Sequence, residues 1–330
     1  MSQTHQISVV VPIYRAGSTL PSLFEEIARF HDEFLTDGGH RARVAELILV
    51  HDNGPDDSDE IIRKLAAEHD WVRPVWLSRN FGQHAATLAG MASSGGDWIV
   101  TMDEDGQHDP AYLALMLDTA MSARATVVYA QPTNRPPHGF IRNTASRGAK
   151  RFVDYLTKGN EAGLYHSYRL VLGELGRSLA AYAGAGVYLD VALGWVADEV
   201  ATCPVQMRQE GDRPSGYGTR TLLSHFWRMV LTSGTGLLRF VSLAGVTMAV
   251  VGFVVALGLG VFRLFGGVDV AGWTSVMVVM LIGVGAMLFS LGIVAEYVGV
   301  AVNMAMGKPL YLVTADKSTG PLSYPPEPRP

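Results

Sequence analysis

Asp103 and Asp105 stand two residues apart at the end of the apolar run WIVTM, with Gln107 two residues further on. Carboxylate and amide oxygens in that pattern suit a hard divalent cation such as Mg2+ or Mn2+. Both aspartates reach one ion only if the strand opens into a turn between them. A cation held there would neutralise a diphosphate that gains charge as it leaves. A bare Asp-x-Asp also occurs in solvated turns and helix caps, so its setting matters. The run before it has the pattern of a buried strand, and Asp109-Pro110 after it reads as a helix start.

Two more strand ends carry comparable residues: Pro12-Ile13-Tyr14, and His51-Asp52-Asn53-Gly54. Ligands in open α/β sheets bind beyond the carboxyl ends of the strands, so this convergence places the chemistry there. The elements behind it alternate short apolar runs with helix-compatible segments over the first 130 residues, which implies a mostly parallel sheet with crossover helices. Strands are predicted at Ile7–Val11, Leu47–Val50, Val72–Leu77, Trp98–Met102 and Val127–Ala130. Helices are predicted at Thr19–Leu35, Asp59–His69, His84–Ser93 and Ala111–Ala123. His84, beside Gln83, reads as a helix N-terminal residue bonded locally.

The second part of the chain differs in kind. No charged residue occurs from Phe240 to Phe262 or from Val270 to Ala295, and each run exceeds the roughly 20 helical residues needed to cross a hydrocarbon core. The N-terminus lacks the features of a secretory signal. Arg220, Arg228 and Arg239 precede the first run and Lys308 and Lys317 follow the second, while the hairpin between them has only Arg263 beside Asp269. This asymmetry places both termini in the cytoplasm. Leu222, Leu223, Phe226, Met229 and Val230 recur at helical spacing, consistent with an interfacial helix or an ordinary core-facing one; proximity to the first span favours the interface. The expected organisation is a catalytic domain over residues 1–218, an interfacial helix over 219–236, a two-helix membrane anchor with a cytoplasmic exit over 237–313, and a disordered tail over 314–330. The lone Cys203 excludes an internal disulfide and a cysteine-rich metal site, and a net charge of -5 gives no sign of a nucleic-acid partner.

The segments SVVVPIYRAG, LILVHDNGPDDSDEII, LSRNFGQHAATLAGM and GDWIVTMDEDGQHDP resemble inverting family 2 glycosyltransferases of the GT-A fold. Within them they are most similar to the polyprenyl-phosphate glycosyltransferases, the group that includes dolichol-phosphate mannose synthase and bacterial undecaprenyl-phosphate sugar transferases. The resemblance is strong over residues 7 to 130 and looser to about residue 235. It implies that Pro12, Tyr14 and Asp52 contact the base and ribose of a UDP- or GDP-sugar, and that Asp103, Asp105 and Gln107 contact the metal and diphosphate. Glu104 falls outside the metal-facing positions. Arg142 and Ser146 match an arginine and a serine that hold the acceptor phosphate, and Arg208 matches a further phosphate-binding arginine; forked, permanently charged guanidinium suits that task.

Three departures stand out. A Gly-x-Ser-Lys-Tyr or Ser-Asn-Tyr element reads here as Gly211 to Tyr217 with two inserted residues. An Asp before the strand at Leu164 to Val171 is either replaced by Glu161 or lost in misalignment, and a basic residue after Gly299 in the exit segment is Val300. No catalytic base is therefore named, and a phosphomonoester acceptor, already ionised near neutral pH, needs none. The implied reaction is inverting transfer of a sugar to a polyprenyl phosphate at the cytoplasmic face of the plasma membrane. Two alternatives are a processive polysaccharide synthase, whose Gln-x-x-Arg-Trp element is missing, and an inactive membrane-tethered nucleotide-sugar binding protein, against which both aspartates speak. Glycines at 252, 258, 260, 283 and 285 would permit close helix contact in a homo-oligomer.

Overall fold

The computed structural model describes residues 3–134, 165–184, 188–208, 236–264, 272–307 and 309–319. Strand β1 (His5–Ile13) is followed by α1 (Leu20–Ala28), β2 (Phe34–Leu35), β3 (Arg41–His51), α2 (Ser58–Glu68), β4 (Val72–Leu77), α3 (Gln83–Ala92) and β5 (Trp98–Thr101). A 3-10 turn at Pro110–Tyr112 leads into α4 (Leu113–Ala123) and β6 (Val127–Pro132). Then come β7 (Arg169–Leu172), α5 (Gly173–Tyr182), α6 (Leu189–Val196), β8 (Val200–Val205), α7 (Gly236–Leu264), α8 (Trp273–Ala305) and β9 (Val313–Thr314).

The strands lie in the order β8-β6-β7-β5-β1-β3-β4-β9, with β2 paired to β3. The β5-β1-β3-β4 block and the β6–β8 pair are parallel, while β7 runs antiparallel between β5 and β6. This is the mostly parallel α/β sheet expected from the strand pattern. Val9–Ile13 of β1 and Leu47–Val50 of β3 are apolar because both faces of the sheet are covered there. Val9, Val11 and Ile13 of β1 pack with α1, α2 and α4, whereas Val10 faces α3 with Ile48 and Val50 of β3. Each such buried side chain contributes about 1.5–3 kcal/mol. Helix α3 crosses so close to β1 that a Cβ at Gly90 would lie 2.3 Å from Val10 Cγ1.

All five predicted strands form, and three of the four predicted helices differ by no more than about two residues at either end. The exception is the first. Its apolar spacing continues through Phe30 and Phe34, yet the helix stops at Ala28 and residues 34–35 pair with β3 instead. Asp118 of α4 decides this from outside the segment, accepting the Thr36 hydroxyl at 2.5 Å and the Gly38 N–H at 2.8 Å and so holding the turn that Gly39 closes at φ 82°.

Helices α7 and α8 hold two segments long and apolar enough to cross a membrane, Val241–Leu259 and Ile282–Asn303. Their described apolar side chains are largely exposed, Phe253 by 70 %, a surface that suits a hydrocarbon environment. The exit segment expected at Glu296 to Gly299 is the uninterrupted continuation of α8 to Ala305. The expected interfacial helix, 219–236, falls outside the described residues apart from Gly236, where α7 begins. The tail corrects an expectation. Its first part is ordered: residues 313–314 add an antiparallel strand to the β4 edge, and Arg63 binds Asp316, while 320–330 lie outside the described residues. Backbone pairing and an ion pair offset the ordering entropy that its Pro and Ser content suggested would prevail.

Candidate active site

The carboxyl ends of β1, β3 and β5 open onto one mouth, and buried carboxylates fasten its loops together. Asp52, 3 % exposed, follows β3 and accepts the N–H groups of Phe81 and Gly82 at 2.7 and 2.8 Å, fixing the entry to α3. Its own N–H donates to the Ile13 carbonyl at 2.8 Å. Asn53 then takes a left-handed φ of 51°, and a Cβ at Gly54 would sit 1.8 Å from the Tyr14 carbonyl, so only glycine fits where the two loops touch. Glu104 accepts the N–H groups of Tyr14 and Arg15 at 2.6 and 3.0 Å, and its carbonyl takes the Thr19 hydroxyl at 2.6 Å. It is thereby turned to the loop after β1, in keeping with its exclusion from the metal-facing positions. Burial pushes the Asp52 and Glu104 carboxyls up, and the amide donors pull them back down.

Asp103 is held differently. Ser167 donates its hydroxyl to Oδ2 at 2.6 Å and Gln83 its side-chain amide to Oδ1 at 2.5 Å. The Asp103 N–H donates to His108 Nδ1 at 2.9 Å, which fixes that ring as the neutral Nε2–H tautomer. His108 is buried and stacked on Tyr168 at 4.8 Å, and desolvation lowers its pKa to about 4. Asp105 accepts the Gln107 N–H at 3.0 Å, turning the loop so that the residues after β5 fold back over the strand end. Burial raises the Asp103 carboxyl, and burial together with the Asp103 charge raises that of Asp105.

A divalent cation fits this donor set. Two carboxylates whose charged forms are disfavoured by burial, one of them also by its neighbour's charge, would be stabilised by one. Among the described residues no three His, Cys, Asp or Glu side chains converge on a metal position. An ion at Asp103 and Asp105 would therefore draw further ligands from neutral oxygens, substrate phosphates and water, as Mg2+ commonly does.

A pocket of about 300 Å³ extends from Pro12 and Asp103 between Gln83, His84, Tyr165, Ser167 and Tyr188 to Arg169 and Asp190. At its base lies an ion pair that sequence reasoning missed. Arg169 and Asp190 are 2 and 3 % exposed and bonded to each other. Tyr129 donates its hydroxyl to Asp190 at 3.1 Å, and Arg169 Nε donates to the Thr101 hydroxyl at 3.0 Å. Thr101 in turn donates to the Ser167 carbonyl at 2.6 Å, so β5, β6, β7 and α6 meet in one network beneath Asp103. His84 also lines this pocket, with its ring 4.1 Å from that of Tyr188.

Of the expected site residues, Pro12 and Asp103 line the pocket, Asp105 and Gln107 share its outer loop, and Tyr14 is partly exposed at the mouth beside the Asp52 turn. Arg208 pairs with Glu26 at 2.7 Å and Asp109 at 2.9 Å, while its N–H donates to the Gln107 carbonyl at 3.1 Å. Arg142 and Ser146 lie outside the described residues, as does the Gly211 to Tyr217 element. Ser167, Arg169 and Asp190 had no local signal: they are polar residues in or beside apolar segments, as buried structural residues also are.

Known proteins give the comparison its frame. The chain is 27% identical over 310 residues to an undecaprenyl-phosphate 4-deoxy-4-formamido-L-arabinose transferase of Aeromonas hydrophila, covering 93% of this chain and 92% of that protein. It is 28% identical over 317 residues to the protein of the same description from Photorhabdus laumondii, covering 94% of each. Among solved structures, glucosyl-3-phosphoglycerate synthase of Mycobacterium tuberculosis with Mn2+, UDP and phosphoglyceric acid matches at 17% identity and a TM-score of 0.49, covering 69% of this chain and 77% of that one. The last likeness is too distant to inform the site. The family model described as glycosyl transferase family 2 matches residues 8–175, just over half of the chain, and spans every strand-end loop described above. With the mostly parallel sheet, the acidic strand end and this match in agreement, the chain belongs to glycosyl transferase family 2.

Proposed function

We propose that the enzyme transfers a sugar from a UDP- or GDP-linked donor to a polyprenyl phosphate of the undecaprenyl type, with inversion, at the cytoplasmic face of the membrane. The observation that carries this reading is the joining of a family 2 domain to two membrane-length helices in one chain, together with relatives whose names specify undecaprenyl phosphate and whose match extends over the helices as well.

In this reading Pro12, Tyr14 and Asp52 receive the base and ribose, and Asp103, Asp105 and Gln107 hold Mg2+ or Mn2+. When bound, that ion supplies positive charge to the departing diphosphate. The acceptor's phosphate oxygen bonds to the anomeric carbon as the bond from that carbon to the diphosphate breaks, and the nucleoside diphosphate leaves. The acceptor is already ionised, so no side chain has to remove a proton, and the protein works by positioning two phosphates. Arg142 and Ser146 are assigned to the acceptor phosphate. Arg208 joins them only by exchanging Glu26 or Asp109 for phosphate. The anchor keeps the polyprenyl chain in the bilayer while its headgroup reaches the site.

The test is incubation of the full-length protein with radiolabelled nucleotide-sugars, Mg2+ or Mn2+ and undecaprenyl phosphate, followed by organic extraction. The donors should include a nucleotide-linked 4-deoxy-4-formamido-L-arabinose. A lipid-soluble labelled product that requires the divalent ion is expected; none with any donor would sink the reading. Label in a long water-soluble glycan would point to a processive synthase instead.

A further inference from the structure

Beyond α8 the chain turns at Gly307, with φ 63°, and returns to the catalytic domain. Leu310 and Tyr311 pack against the α3 face of the sheet, and Ser78 donates its N–H to the Leu312 carbonyl at 3.0 Å. Residues 313 and 314 pair with Leu77 and Trp76. Arg63 of α2, its guanidinium 5.2 Å from the centre of the Trp76 ring, then grips Asp316 with two nitrogens at 2.7 and 3.1 Å while still holding Asp59 at 2.8 Å. The Arg63 bonds hold the Asp316 carboxyl down at about 2. Asp316 also caps its own turn, accepting the Ser318 N–H at 2.9 Å.

Covering the β4 edge needs only the short strand. The chain goes one step further: Lys317 donates its ammonium to Asn53 Oδ1 at 2.5 Å. Asn53 is the left-handed residue of the turn between Asp52, which fixes residues 81 and 82, and Gly54, which rests on Tyr14. Through Asn53 the tail thus reaches a turn whose other residues touch the loop after β1: Asp52 donates to the Ile13 carbonyl and Gly54 rests on Tyr14. Lys317 also brings positive charge to a mouth whose turn carries Asp52, Asp56 and Asp57, where an anionic nucleoside diphosphate has to settle.

We propose that the segment after the second membrane helix completes the donor site, with Lys317 as a positioning residue that holds the Asn53 turn, so that tail docking and nucleoside-diphosphate binding are coupled. This rests on the reading that the loops after β1 and β3 receive the donor. Coupling is reciprocal: if the docked tail favours nucleotide, nucleotide favours the docked tail.

The experiment uses the full chain in nanodiscs. Hydrogen exchange of residues 312–319 is measured with and without UDP or GDP, alongside transfer kinetics of Lys317→Ala and Lys317→Arg. Whichever nucleotide binds should increase protection of the tail in the wild type and leave it unchanged in Lys317→Ala. The alanine variant should raise the donor KM about five- to tenfold, with kcat and the lipid KM within about twofold, and arginine should restore most of the loss. Tail protection indifferent to a nucleotide that binds, an unaltered donor KM in Lys317→Ala, or no binding of either nucleotide would each overturn the proposal. If the wild type makes no lipid-linked sugar yet nucleotide still protects its tail, the transfer reading falls and the coupling stands.

Discussion

At the mouth between β1 and β3, carboxylates are taken up by backbone amides: the buried Asp52 by residues 81 and 82, the half-buried Glu104 by residues 14 and 15. Between β5 and β7 the carboxylates are met by side chains: Asp103 by Ser167 and Gln83, Asp190 by Arg169 and Tyr129. The distinction is one of what can let go. A backbone N–H leaves its acceptor only if the chain moves, so Asp52 and Glu104 set the shape of the loops after β1 and β3. A serine hydroxyl or glutamine amide can rotate away, so Asp103 can exchange protein partners for an incoming cation at small cost. One half of the site is a frame, and the other is adjustable.

Five single substitutions and one double variant would break or sharpen that contrast. Asp105→Ala should abolish transfer, by about a thousandfold or more, equivalent to ~4 kcal/mol of transition-state stabilisation. Activity in the extraction assay close to wild type would remove this residue from the metal site. Asp190→Ala should destabilise the domain by about 3–5 kcal/mol, because it leaves the Arg169 guanidinium buried without its counter-charge. The double variant Arg169→Met/Asp190→Leu should recover much of that loss in urea unfolding, and failure to do so would mean that the pair is required for more than mutual neutralisation.

Glu104→Gln tests the frame. It should cost about 1–2 kcal/mol by weakening one or both amide contacts and raise the donor KM, while the Mg2+ or Mn2+ concentration for half-maximal rate stays put. Asp103→Asn should shift that concentration upward. A Glu104→Gln variant with altered metal dependence would merge the two halves.

The smallest effect is expected at His51, whose Nε2 is buried without a hydrogen-bond partner among the described residues. Burial lowers its pKa, so below the ordinary histidine range the folded state binds fewer protons than the unfolded one. Its contribution is therefore fully present above that range and is lost as pH falls through it. His51→Leu should flatten the acid side of the stability profile by up to about 1 kcal/mol, and an unchanged profile would show that His51 keeps its proton equilibrium on folding.

Much of the fold was legible because its signals are local. The run Trp98–Met102 has the apolar pattern of a buried strand, and Pro110 after Asp109 marks a helix start, so Asp103 and Asp105 were placed at a strand end before any contact was known. The spans were legible for the same reason, since the bilayer's demand on a helix is met within one uninterrupted segment. Residues 34 and 35 were misread because helical apolar spacing was outweighed by the hydrogen bonds that Thr36 and Gly38 donate to Asp118, 82 residues away from Thr36 in the chain.

By itself, then, the sequence determined five strands of the first 130 residues, the acidic strand end and the two membrane-length helices, each of which follows from the composition and periodicity of a short stretch. The tertiary structure alone decided which carboxylates are frame and which are free to exchange. That choice depends on β7 inserting antiparallel between β5 and β6, which carries Ser167 and Arg169 to Asp103 and Asp190, and on a tail that crosses back to Arg63 and Asn53. Contacts over such separations are fixed by strand order and chain closure, and no local pattern of residues encodes them.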